Sequence, residues 1–146
     1  MKGYLLDTCV LLELMKNVPE PAVQRWIAGV REDDLFLSVL GIGELTRRVE
    51  KTAKGQERRA QLSWLEDELV PRFKGRIIEV DTAASRTWGV VGAIVESLGM
   101  NARAVDLLIA AQALTRGLTL VTRFDKDFSG SGVAVLNPWL TEDGIT

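Results

Sequence analysis

Residues 101–122 read NARAVDLLIAAQALTRGLTLVT, a helical pattern that stops at a glycine and runs directly into an extended apolar one. Residues 105–116 carry helix periodicity, Gly117 can end the helix, and residues 119–122 have the β-branched, apolar character of a buried strand. One carboxylate, Asp106, stands at the head of this apolar helix. With a turn of about 100° per residue, Gln112, Thr115 and Arg116 mark the expected solvent face, and Asp106 lies about a third of a turn from its centre. Ala110 and Ala113, on the same face as Asp106, are small enough to let other parts of the chain approach it. The charge therefore needs compensation from elsewhere.

The same alternation extends outward in both directions. Strand patterns cover residues 3–6, 35–39, 76–80, 119–122 and 133–136; helix patterns cover 22–30, 42–54, 56–69, 83–98 and 105–116. Such alternation predicts a three-layer α/β/α sandwich with a mainly parallel central sheet and right-handed crossovers. Asp81 can cap the helix after it, Gly99 can end that helix, and FSGSG (128–132) makes a turn before the last strand. With no internal repeat or linker, residues 1–146 read as a single domain, and 146 residues suffice to bury about two thirds of the unfolded surface.

Composition narrows the chemistry. No apolar run approaches the roughly 18 residues of a membrane span, and the start MKGYLLD has no signal-peptide pattern, so a cytoplasmic protein without a membrane partner is expected. Cys9 is the only cysteine, which excludes an internal disulfide and a Cys-rich zinc site; without a histidine to activate it, it reads as a small buried residue. The count of zero histidines removes Ser-His-Asp catalysis and His-ligated metals together. A net charge of −2 does not bear on a nucleic-acid partner, since local distribution sets the field at a site.

Carboxylates remain. Asp7 closes the strand YLLD, Glu44 follows the second strand in LSVLGIGEL, Asp106 opens the apolar helix, and Asp125 and Asp127 follow LTLVTRF. In open parallel sheets, ligands gather beyond the carboxyl ends of the strands. Converging there, such groups repel by on the order of 4 kcal/mol per pair at about 4 Å. A bound cation removes that cost, and an all-oxygen set selects Mg²⁺ or Mn²⁺. Each residue also has a local role open to it: Asp7 as N-cap of a helix starting at Thr8, Glu44 in a surface ion pair with Arg48, Asp106 as partner of its own helix N-terminus, and Asp125 and Asp127 as turn residues. Glu13, Glu79 and Asp81 stand outside the set.

The segments YLLDTCVLLEL, LSVLGIGELTRRVEK, AVDLLIAAQALTRGLTLVTRFDKDF and VAVLNPW, in this order, resemble the successive motifs of PIN-domain proteins, above all the VapC-type toxins of toxin–antitoxin pairs. The resemblance implies a metal-dependent endoribonuclease with an acidic site for Mg²⁺ or Mn²⁺, formed by Asp7, Glu44, Asp106 and a fourth acid, Asp127 in preference to Asp125. It further implies a homodimer, or a higher assembly, held inactive by an antitoxin that blocks the acidic groove. Two positions depart from the pattern: Cys9 stands where many relatives have Asn, and Phe124 where many have an acidic residue or Asn. Thr8 and Thr122 are placed to donate hydrogen bonds at the site.

Arg47, Lys51 and Lys54, with Arg58, recur at helical spacing on the side of Glu44 and would form a basic stripe for RNA phosphates on an uninterrupted helix. Trp26, Trp64 and Trp88 lie in amphipathic helix patterns and suit packing better than base stacking. A receiver domain or aspartate phosphatase accounts for these residues poorly: Cys9 occupies the second place of D-x-D, and Glu44 has no task there. A non-catalytic PIN-like domain that binds RNA or a protein partner is the stronger alternative.

Overall fold

A computed structural model describes residues 3–141; residues 1, 2 and 142–146, the two ends of the expected domain, lie outside the described residues. Five short strands, β1 (Tyr4–Leu6), β2 (Leu35–Ser38), β3 (Ile77–Ile78), β4 (Thr119–Val121) and β5 (Val135–Leu136), form one wholly parallel sheet in the order β3-β2-β1-β4-β5. The expected α/β/α architecture is present. Because β1 lies between β2 and β4, the strand order reverses beside it, and the crevice at its carboxyl end is open to ligands.

Alternation along the strands divides the core. Leu6, Leu35, Leu37 and Val121 face one layer, where they meet α1 (Thr8–Met15), α2 (Pro21–Gly29) and α3 (Val39–Lys51) through Val10, Leu11, Trp26, Leu45 and Val49. Leu5 and Leu120 face the other layer and pack on Ile109, Ala110 and Ala113 of α7 (Ala104–Arg116). The small alanines let α7 lie close on the sheet, with α6 (Thr82–Ser97) packed outside it through Val91, Val95 and Leu107. Asp81 caps α6 by accepting a hydrogen bond from the Ala84 N–H at 2.8 Å. Gly117 ends α7 in the left-handed conformation, at φ 65°. Among the described residues no helix is long and apolar enough to cross a membrane.

Two expectations are corrected. Gln112 is not on the solvent face: it is wholly buried, its Oε1 accepts from Ser38 Oγ at 2.6 Å, and its Nε2 donates to the carbonyls of Ile78 and Glu79 at 3.1 Å each. A glutamine is tolerated there because β2 and the exit of β3 satisfy it completely. The second helix pattern, expected at 42–54, runs from Val39 and stops at Lys51, so the basic stripe is broken: Lys54 lies in the following turn, and Arg58, on α4 (Gln56–Ser63), turns back to Glu50 at 2.7 Å. The segment after α4 stays helical through a π turn (Trp64–Leu69) into α5 (Val70–Arg72), which keeps Leu65 and Leu69 in the core.

Gln112 ties α7 to the sheet through three hydrogen bonds, two of them buried, and removing one partner leaves the others unsatisfied. Gln112→Leu should therefore cost about 2–4 kcal/mol in urea unfolding despite its similar size. A cost below about 0.5 kcal/mol would contradict this role.

Candidate functional site

Strand β1 runs into Asp7, whose N–H donates to the Val121 carbonyl at 2.9 Å and so continues the β1–β4 ladder by one residue. The chain then turns into α1 with Asp7 as N-cap: Oδ1 accepts from the Thr8 N–H at 2.9 Å, while Oδ2 accepts from Thr122 Oγ1 at 2.8 Å. The capping role expected from sequence is present, and it also fixes the carboxylate at the carboxyl edge of the sheet. Asp7 is only 6 % exposed.

Thr8 orients the second acid, its Oγ1 donating to Glu44 Oε1 at 2.6 Å. α3 reaches this position because Ser38 caps it, accepting from the Leu40 N–H, and because Gly41 faces Leu11 and Thr8 where a Cβ would come within 3.3 Å of the leucine. The ion pair expected between Glu44 and Arg48 does not form; Glu44 Oε2 instead accepts from Arg103 Nη2 at 2.7 Å. Arg103 is the residue before α7, and its Nε lies 3.6 Å from Asp106 Oδ2 in the first turn of that helix.

Asp127 reaches the cleft from the 3-10 turn Asp125–Phe128, which Phe128 anchors in the core below the sheet. Asp7, Glu44, Asp106 and Asp127 thus line one cleft of about 320 Å³, rimmed by Leu12, Cys9 and Phe124. Asp125 does not line it: its Oδ1 accepts from Asn137 Nδ2 at 3.1 Å, and it faces a separate depression beside β5. Arg47 and Lys51 line a shallow groove with Arg48, Thr52 and the far side of Glu44; Lys54 does not line it.

The electrostatics reflect crowding. Burial holds the Asp7 carboxyl above the ordinary carboxylate range despite the hydrogen bonds from Thr122 and Thr8, and Glu44 adds to the rise. Burial raises Asp106 as well; Arg103 opposes this, while Asp7, Glu44 and Asp127 reinforce it. Cys9, half-buried beside Asp7, is pushed up to about 11 by desolvation and by the Asp7 charge, and is no nucleophile at neutral pH. Its sulfur accepts from the Arg123 N–H at 3.4 Å and lies 3.7 Å from Asp7 Oδ2, so the thiol packs where it touches the acid.

Among the described residues no three acidic or cysteine side chains already close around one point; Thr8 and Arg103 each donate to one oxygen of Glu44. The donor set nevertheless fits a hard divalent ion: it is all oxygen, it opens to solvent, and its carboxyls resist ionising together. Sequence reasoning missed Arg103; the signal was its place three residues before Asp106, one helical turn away.

The sequence signature of the PIN domain matches residues 4–131. The chain belongs to the PIN-domain family. It is 33% identical over 135 residues to the VapC ribonuclease Y4jK of Sinorhizobium fredii, covering 92% of this chain and 96% of that protein. To toxin FitB of Neisseria gonorrhoeae it is 31% identical, with 92% and 97% covered. The crystal structure of FitAcB from Neisseria gonorrhoeae superposes with a TM-score of 0.89 at 30% identity, covering 94% of this chain and 99% of that one. In this PIN domain both departures from the family pattern, Cys9 and Phe124, line the cleft, and Phe124 is 52% exposed at its mouth.

Raised carboxyls have a defined pH signature in the metal-free protein. Below the ordinary carboxylate pKa, Asp106 is protonated whether folded or not and costs nothing; as pH rises, the unfolded chain ionises first, and folding loses stability until the folded carboxyl ionises too. Asp106→Asn in EDTA should raise Tm by roughly 2–4 °C at about pH 7, with the gain disappearing near about pH 3.5. A variant less stable than wild type at neutral pH would contradict the burial cost.

Proposed function

We propose that this PIN domain is a metal-dependent endoribonuclease, the toxin of a toxin–antitoxin pair, working as a single domain in the cytoplasm. The observation that carries this reading is the meeting of Asp7, Glu44, Asp106 and Asp127 in one cleft, with the cationic groove of Arg47, Arg48 and Lys51 continuing from it along α3. Its relatives are named a VapC ribonuclease and a toxin, and FitAcB shares its fold over almost the whole chain.

In this reading Asp7, Glu44, Asp106 and Asp127 hold Mg²⁺ or Mn²⁺. The ion supplies a more acidic bound water and neutralises charge developing on the phosphate. Thr122 and Thr8 hold Asp7 and Glu44 in their rotamers, so the carboxylates need little reorganisation on binding. Leu12 and Phe124 form an apolar part of the cleft lining. Arg47 and Lys51 bind phosphates flanking the scissile bond without reading bases; Lys54, beyond the end of α3, contributes less. Water adds to phosphorus, the P–O bond to the leaving ribose oxygen breaks, and that oxygen is protonated. A homodimer held by an antitoxin that covers the cleft keeps this activity silent.

Protein freed of its antitoxin should cleave RNA in Mg²⁺ or Mn²⁺ and stop in EDTA, and Asp7→Asn should lower the rate by roughly 100-fold or more. Unchanged cleavage by Asp7→Asn would remove Asp7 from the site. RNA binding without cleavage under every metal condition would instead favour the non-catalytic alternative, which the replacements Cys9 and Phe124 motivate. Arg47→Ala with Lys51→Ala should weaken RNA binding across sequences and reduce the salt slope by about 1.4; an unchanged slope would place the RNA elsewhere.

A further inference from the structure

Among the described residues, Arg103 differs from every other group lining the acidic cleft in carrying a positive charge. Its Nη2 donates to Glu44 Oε2 at 2.7 Å and its Nε sits 3.6 Å from Asp106 Oδ2, so one guanidinium joins the acid of α3 to the acid of α7. Thr8 donates to the other oxygen of Glu44, so both oxygens already carry a hydrogen bond and an ion approaching Oε2 meets the guanidinium there. Yet the side chain is weakly committed: it is 64% exposed and makes no capping bond to α7. Exposed pairs of this kind are favoured by only about fivefold at most. A divalent ion carries twice the charge and binds carboxylates without the entropy of a long side chain, so it outcompetes such a partner. Once released, a planar guanidinium at the mouth of the cleft has the donor geometry for two phosphate oxygens.

We propose that Arg103 is an exchangeable cation: without metal it bridges Glu44 and Asp106 and offsets part of their charge, and when an ion takes those carboxylates it swings to the cleft mouth and binds an RNA phosphate next to the scissile one. The exchange explains how the acids stay folded together before an ion arrives, and it couples ion loading to substrate binding through one side chain. It rests on the reading of the cleft as a metal-dependent ribonuclease site.

Calorimetric titration of Mn²⁺ into metal-free protein, without RNA, tests the first half. Arg103→Gln removes the competitor and should lower the Mn²⁺ Kd by about two- to fivefold, while Arg103→Lys, which keeps the charge, should stay within about twofold of wild type. At saturating Mn²⁺ both variants should raise KM for a single-stranded RNA, Arg103→Gln by about tenfold, with kcat changed less. An Mn²⁺ affinity that is equal or weaker in Arg103→Gln overturns the exchange while leaving the metal site standing. Tighter Mn²⁺ binding with an unchanged KM overturns the phosphate contact. If wild type and Arg103→Gln both fail to bind Mn²⁺, the metal-dependent reading fails and the exchange with it.

Discussion

Mutual repulsion among carboxylates at one edge of a parallel sheet is the constraint around which this molecule is organised. Asp7 is almost wholly buried at the end of the central strand, and Asp106 is held above its ordinary range by burial and by the charges of Asp7, Glu44 and Asp127. Such an arrangement costs folding energy unless something positive is supplied. The supports are local and specific: Thr122 on Asp7, Thr8 on Glu44, the start of α7 beside Asp106, and Arg103 between the last two. None of them neutralises the whole set, and that remaining imbalance is what the proposed divalent ion would offset.

The scaffold is rigid where the acids are placed. Asp7 extends the β1–β4 ladder, so its position follows from sheet register, and α3 is pressed against α1 at Gly41, which brings Glu44 to Thr8. α7 is fixed from the opposite side, by alanines packed on Leu5 and Leu120 and by Gln112 bonded to Ser38 and to the carbonyls after β3. A site assembled from strand ends and helix starts keeps its geometry better than one carried on loops. Asp127 is the exception, since it rides a short turn, and the buried Phe128 directly after it supplies the anchor.

Much of this was legible in the chain. The alternation of strand and helix patterns dictates the layered parallel sheet, and the absence of histidine leaves an all-oxygen site as the natural outcome of acids at strand ends. Asp7, Glu44 and Asp106 were visible because each follows a strand or opens a helix beside one. What was not legible depends on partners distant in sequence. Gln112 looks like a surface residue until Ser38, 74 positions earlier, is placed against it, and Glu44 looks paired with Arg48 until Arg103, 59 positions later, arrives. The basic stripe fails because the helix ends at Lys51, a boundary that composition does not fix. Local periodicity determines elements; long-range hydrogen bonds determine which face of an element is wet.

The central claim is that a divalent ion compensates carboxyls which the fold alone holds above their ordinary range. Its most direct measurement is the number of protons released per Mn²⁺ bound, obtained by calorimetry in buffers of different ionisation enthalpy across the weakly acidic range. Ions bind the deprotonated ligands, so raised carboxyls must give up protons on binding. The expected result is proton release that is largest in weakly acidic solution and fades as pH rises. Mn²⁺ binding with no proton release at any pH, or no binding at all, would contradict the claim.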